Sequence, residues 1–312
     1  MTDLSGGPVP LILARGLTKR YGEHAILDSL DFAIEPGERI ALLGLNGAGK
    51  TTLLRCLLGL TTYSGELTVA GVSPHGGGRE ARERIGFVPQ RPPLFDLTLR
   101  AFIDLFAGLR GVPPEGPRRK LAEFGLPLDR TGDLRLCELS GGMLQKALLA
   151  LALGAGGSVL LLDEPAANLD PTSRRELLRL LRKVDRDTTV VFATHRVGDV
   201  EALADRIIVL HDSRFAFDGT AARLWDEAEV VRRLWIRVPG REANAALEWL
   251  QGCEAVTEAR RNGTGIEVNV RRKAQLDILC GLEAQGIAIE DFRTLTPGLG
   301  EILERISGTP AR

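Results

Sequence analysis

The run Gly44-Leu45-Asn46-Gly47-Ala48-Gly49-Lys50-Thr51 constrains this chain more than any other feature. It fits the phosphate-loop pattern G-x-x-x-x-G-K-[ST] without a gap. In such a loop the glycines let backbone N–H groups wrap phosphates. The lysine reaches the outer phosphates, and the hydroxyl of Thr51 can ligate Mg²⁺. The loop works only between a strand and a helix, because the positive helix end must face the phosphates. Both flanks are present: Ile40-Ala41-Leu42-Leu43 is short and charge-free, and Leu53, Leu54, Leu57 and Leu58 mark one helix face.

Two further runs, Val159-Leu160-Leu161-Leu162 and Val190-Val191-Phe192-Ala193, are equally apolar on both faces. Strands of this kind are covered on both sides, as in a parallel sheet wrapped by helices. The fold expected is therefore α/β, with a first domain over residues 1–233. From 234 the pattern changes. Leu234, Ile236 and Val238 alternate, then Ala243, Ala246, Leu247 and Leu250 fall at helical spacing. A strand around Val256 leads to a turn at Asn262-Gly263, and Ile266, Val268 and Val270 alternate beyond it. Leu276, Leu279 and Leu282 suggest a helix, then Ile287, Ile289 and Phe292 a strand, then a closing helix over Leu299–Ile306. The order β-α-β-β-α-β is that of a ferredoxin-like domain, so residues 234–312 are expected to form a small α+β accessory domain.

Bulk properties exclude several classes. With 312 residues, 44% apolar and 26% charged, the chain has ordinary globular composition and length for two domains. A net charge of −1 gives no global pull toward nucleic acid. Arg118-Arg119-Lys120 and Arg271-Arg272-Lys273 read as solvated faces. Cys56, Cys137, Cys253 and Cys280 are too widely spaced for a metal knuckle and read as reduced thiols of a cytoplasmic protein. Met1–Pro10 lacks the basic start and apolar run of a signal peptide. The longest uncharged stretch, Ala147–Leu162, is broken by Gly154, Gly156, Gly157 and Ser158. It falls short of the roughly 20 apolar residues of a membrane span.

Two more motifs carry chemistry. Asp163-Glu164-Pro165 ends a buried strand, which places its acids beside a neighbouring phosphate loop. Asp163 is suited to hold Mg²⁺, and Glu164 to polarise an attacking water. In Leu139-Ser140-Gly141-Gly142-Met143, Ser140 reads as a helix N-cap. Gly141 and Gly142 leave backbone N–H groups open just inside it, a second anion-binding helix start on one chain.

From about Leu11 to Leu234 the sequence resembles the nucleotide-binding subunits of ABC transporters. The resemblance rests on the phosphate loop Gly44–Thr52, the signature Leu139–Met143 and the acidic strand end Asp163-Glu164. It implies a P-loop ATPase domain with a helical subdomain, with ATP and Mg²⁺ as ligands. Gln90, in Phe87-Val88-Pro89-Gln90, matches the Q-loop that reaches Mg²⁺ and water. Asn168-Leu169-Asp170 matches the D-loop, and His195 the switch histidine that contacts the γ-phosphate. Tyr21 matches the aromatic that stacks on adenine, and Thr52 belongs to the phosphate-loop contacts. Three positions depart from the family: Met143 replaces the commoner glutamine, Ala166 a hydroxyl or aromatic residue, and Asn168 a glycine or serine. None removes a catalytic group.

The resemblance further implies a homodimer, head to tail, in which Ser140-Gly141-Gly142 of one subunit covers ATP held by the other. It implies a separate polytopic membrane permease docking near Arg91–Gly111, which would hold the chain at the cytoplasmic face of the cell membrane. Catalysis falls to Glu164, His195 and Lys50. The nucleotide contacts fall to Tyr21, Gly44, Asn46, Gly47, Gly49, Lys50, Thr51, Thr52, Ser140, Gly141 and Gly142. Metal ligation falls to Thr51, Gln90 and Asp163, and no nucleic acid partner is expected. The ending Phe292–Gly308 is similar to that of ABC-2-type exporter ATPases, which favours export. Two alternatives stay open: a soluble ABC ATPase acting on ribosomes or DNA, and a methionine-type importer ATPase with a regulatory C-terminal domain.

Overall fold

The computed structural model of the chain describes residues 9–75, 78–92, 95–228, 232–270, 274–295 and 298–307. The N-terminal stretch before residue 9, the cluster Arg271-Arg272-Lys273 and Thr296-Pro297 lie outside the described residues, as do two positions of the expected docking segment, 93 and 94. The chain divides into two compact units, Met1–Ala221 and Ala222–Arg312. The division falls ahead of the 233/234 boundary expected from the hydrophobic pattern.

The first unit contains two sheets. An antiparallel sheet has the order β2-β1-β4, from β1 (Ile12–Tyr21), β2 (His24–Ile34) and β4 (Ser64–Val69). A six-stranded sheet has the order β5-β6-β7-β3-β8-β9. Its strands are β3 (Arg39–Leu43), β5 (Ile85–Val88), β6 (Val159–Asp163), β7 (Thr189–Thr194), β8 (Arg206–His211) and β9 (Arg214–Gly219). All its pairings are parallel except β8 with β9. Every residue of β3, β6 and β7 is buried, which is why these strands read as unbroken apolar runs.

Helices α7 (Pro171–Arg182) and α8 (Val197–Leu203) follow β6 and β7 and return the chain for the next parallel strand, whereas α1 (Lys50–Leu57) follows β3 and leads into β4 of the antiparallel sheet. Between β5 and β6 stands a helical insertion of α3 (Leu99–Arg110), α4 (Glu115–Glu123), α5 (Leu128–Thr131) and α6 (Gly141–Gly154). A short α2 (Arg79–Glu83) precedes β5. The core runs between the two sheets through Ile12, Leu17, Leu27, Ile40, Leu54, Leu57 and Leu161, so that α1 is clamped by both. Burial of this apolar face fixes the phosphate loop at the carboxyl end of β3, where ligands of open α/β sheets bind.

Helix α9 (Ala221–Glu227) lies at the division. The second unit is a four-stranded antiparallel sheet of order β11-β12-β10-β13, from β10 (Arg232–Arg237), β11 (Val256–Asn262), β12 (Gly265–Val270) and β13 (Asp291–Leu295). With α10 (Ala243–Gly252) and α11 (Gln275–Ala284) the connectivity is β-α-β-β-α-β, and α12 (Leu299–Ser307) follows. Leu234, Ile236, Val268 and Val270 pack with Ala246, Leu250, Ile278 and Leu282 in its core. Two local readings shift. The β11–β12 turn is Gly263-Thr264, because Asn262 still pairs with Gly265. The last strand starts only at Asp291: α11 ends in Gln285-Gly286, with Gly286 at φ 75°, and Ile287 enters the core before strand pairing begins.

Candidate functional site

The loop after β3 curls around its own lysine. Lys50 Nζ donates to the carbonyl of Gly44 at 2.8 Å and of Leu45 at 3.1 Å. Gly49, the residue before α1, has φ 105°, and a Cβ there would lie 2.9 Å from the carbonyl oxygen of Ile26. Only glycine meets both conditions, which leaves the N–H groups at the start of α1 open.

Asp163 and Glu164 reach the same place from the end of β6. The Thr51 hydroxyl donates to Asp163 Oδ2 at 2.9 Å, with Oδ1 at 3.1 Å. The Glu164 carboxylate lies 3.6 Å from Lys50 Nζ, and both of its oxygens are 2.9 Å from His195 Nδ1. A proton on Nδ1 makes His195 the donor in that contact. Glu164 is buried and has φ +49°, a conformation unfavourable for a side chain bearing a Cβ. Its own N–H holds it there, donating to the carbonyl of Ala193 at 3.0 Å.

Burial sets the electrostatics. It pushes the Asp163 carboxyl above its usual range, against the hydrogen bond from Thr51. It also pulls the Lys50 ammonium down, against the attraction of Glu164. Charged groups held this dry repay their desolvation when a polyanion and its counterion arrive.

These groups line one cleft of about 390 Å³, bordered by Tyr21, Ile26, Asn46, Gly47, Gly49, Lys50, Thr51, Thr52, Gln90 and Glu164. His195 and Asp163 join it through Glu164 and Thr51. Ile26 has no signature in the sequence; it arrives through the fold of β2 over the loop. The Thr51–Asp163 pair offers hard oxygen donors of the kind Mg²⁺ takes. Among the described residues no group of three or more His, Cys, Asp or Glu could hold a metal unaided.

Ser140, Gly141 and Gly142 do not line the cleft. Ser140 caps α6, its Oγ accepting from Met143 N at 3.2 Å. The nearest groups to Gly141 and Gly142 are Leu169, Asn168 and Ser173 of the D-loop and α7. Asp170 caps α7, accepting from Thr172 N and Ser173 N. Arg174, one turn on, donates through Nε to Asp199 Oδ1 at 2.8 Å, and the Thr194 hydroxyl donates to Asp199 Oδ2 at 3.3 Å. The D-loop helix and the His195 loop are thereby tied together, a link that residue spacing alone does not reveal.

Within the expected docking segment, Thr98 caps α3 and its buried face is Leu99, Ile103 and Ala107. Leu105 and Leu109 are exposed, Leu109 by 77%, as is Phe95, whose ring lies 5.9 Å from that of Phe102. No helix among the described residues is long and apolar enough to cross a membrane.

Comparison with known proteins agrees with this geometry. The family model described as "ABC transporter" matches residues 27–167. A Nod factor export ATP-binding protein I of Burkholderia pseudomallei (strain 1710b) is 38% identical over 218 residues, covering 68% of this chain and 71% of that protein. The protein of the same description from Rhizobium meliloti (strain 1021) is 37% identical over 228 residues, covering 70% and 67%. Among solved structures, an ATP-binding subunit of an ABC transporter superposes with TM-score 0.62 at 27% identity, covering 69% of this chain and 92% of that one. A bacterial Atm1-family ABC exporter with ATP bound gives 0.63 at 25%, covering 72% and 42%. The loop, the acidic strand end and these relatives lead to one conclusion: the chain belongs to the ABC transporter family, as an ATP-binding subunit whose ATPase activity is coupled to transport.

Proposed function

We propose that this chain works as a homodimer that hydrolyses ATP between its subunits and drives a separate polytopic membrane permease, as an exporter. One observation carries the reading: the chain has two anion-binding helix starts, and only one of them, at Lys50, opens into its own cleft. The other, at Ser140-Gly141-Gly142, is capped and free to complete the cleft of a second copy. Export is favoured by the relatives, which are named as export ATP-binding proteins.

In this reading Tyr21 stacks on the base, and the N–H groups of Asn46 to Thr52 wrap the phosphates with Lys50 on the outer ones. Glu164 orients a water and takes its proton as the water oxygen attacks the γ-phosphorus and the bridging P–O bond breaks. His195 holds Glu164 through Nδ1 before the nucleotide arrives and turns to the γ-phosphate afterwards. Thr51, Asp163 and Gln90 would hold Mg²⁺, which when bound offsets phosphate charge. Loss of the γ-phosphate removes contacts made only in the closed dimer, which allows the pair to reopen. The segment Arg91–Gly111, in which Phe95, Leu105 and Leu109 are exposed, receives the permease, and the second unit serves dimerisation or docking. Attachment to the cytoplasmic face of the cell membrane follows from the permease.

The test is a detergent pull-down with tagged Glu164→Gln full chain, ATP and Mg²⁺. Recovery of a polytopic membrane protein is expected. Recovery of ribosomes or DNA complexes without one would overturn the transporter partner in favour of a soluble motor.

A further inference from the structure

Lys19 is a buried ammonium. It lies on β1, two residues before Tyr21, and is 7% exposed. Nζ donates to the Thr62 hydroxyl at 3.2 Å, and it stands 4.6 Å from the centroid of the Tyr21 ring. Among the described residues no acid pairs with it. Burying a charge this way is costly unless its partners repay it, and a threonine hydroxyl alone is a poor one. The ring is the remaining partner: a cation within about 6 Å of an aromatic face is attracted by the ring quadrupole, most strongly when desolvated.

Tyr21 is half exposed and borders the cleft, whereas Lys19 does not line it. The ring is thus shared between the ammonium and the edge of the cleft. This arrangement has two consequences. The ammonium over the ring restrains the Tyr21 side chain, so less freedom is lost when a flat ligand stacks on it. The ammonium also draws electron density from the ring, which lessens repulsion against the electron-rich face of a purine.

We propose that Lys19 is a positioning residue for nucleotide binding: held by Thr62, it backs the Tyr21 ring and sets it as the platform for the base. The proposal rests on the reading of Tyr21 as the base-stacking residue, and it extends that subsite to Lys19 and Thr62. Neither touches the nucleotide.

The experiment measures dissociation constants of the full chain for ATP with Mg²⁺, and for tripolyphosphate, by titration calorimetry. Lys19→Met keeps the apolar stem and removes the charge. It is expected to weaken ATP binding about threefold to thirtyfold. Tripolyphosphate, which has no base to stack, should bind within about twofold of the parent protein. Lys19→Arg retains a cation over the ring and should restore most of the ATP affinity. In a Tyr21→Ala background Lys19→Met should have no further effect, and its thermal midpoint should equal or exceed that of the parent, because a buried unpaired charge is gone.

Unchanged ATP affinity in Lys19→Met would overturn the proposal. So would equal losses for ATP and tripolyphosphate, or an undiminished loss in the Tyr21→Ala background, since either marks a general packing role. If Tyr21→Ala alone leaves ATP affinity unchanged, the base-stacking reading fails, and that single variant identifies it as the cause.

Discussion

Glu164 is held by three neighbours at once, Lys50, His195 and the carbonyl of Ala193, in a backbone conformation that resists a side chain. Such strain persists only where surroundings enforce it, and it aims the carboxylate into the cleft. Glu164→Gln keeps the shape and removes the carboxylate proposed as the base. Turnover is expected to fall at least about a hundredfold, the usual lower range for a general base, while ATP affinity stays within a few fold; a phosphate-release assay beside calorimetry checks both. Cys56 gives a second test at this scale. Its thiol is fully buried, and burial pushes it up to about 11 from 9.0. The fold thus favours the neutral thiol, a contribution fully present below pH 9 and lost as pH rises toward about 11. Exposed Cys137 and Cys280 should react with a thiol reagent at pH 8, and Cys56 only after unfolding. Residue types and spacing made Lys50, Asp163 and Glu164 legible in the sequence, because their chemistry is local to one loop or strand end. The Glu164–His195 contact and the Lys19–Tyr21–Thr62 arrangement are contacts through space, and no spacing rule encodes them.

Elements were legible where one physical constraint acted alone. The runs that became β3, β6 and β7 are buried on both faces, so nothing polar interrupts them. Ser140 caps α6 with its own oxygen, as the run Ser140-Gly141-Gly142 suggested, whereas Asp170, read only as part of the D-loop, proves also to cap α7 ahead of Pro171. The second unit was harder because two constraints overlapped. Ile287 and Ile289 alternate like a strand, yet Gly286 in a left-handed turn delays pairing until Asp291. The tie between α7 and the His195 loop was invisible for the same reason as other long-range pairs. Asp199 is nearly buried and Arg174 only partly so. Asp199→Ala leaves that guanidinium and the Thr194 hydroxyl without their acceptor. We expect a loss of about 2–3 kcal/mol in urea unfolding, below the full range for a buried pair because Arg174 is partly exposed. Turnover should fall with it as His195 loses its support. Asp170→Ala removes only a cap and should cost about 1 kcal/mol.

At the scale of the molecule, the first unit brings one nucleotide cleft together and leaves a second anion-binding helix start outside it. In the proposed function, a subunit built this way is half of two sites, and its activity belongs to the pair. The family's order of motifs made this expectation available from sequence. The separation of Ser140 from the chain's own cleft gives it a physical basis. Mass measurement by light scattering tests it most directly, using full-length Glu164→Gln with and without ATP and Mg²⁺, beside the double variant Glu164→Gln/Ser140→Arg. The account predicts a monomer without nucleotide, a dimer with it, and a monomer again in the double variant even though ATP still binds. A double variant that forms the ATP-dependent dimer as readily as Glu164→Gln would contradict the shared site.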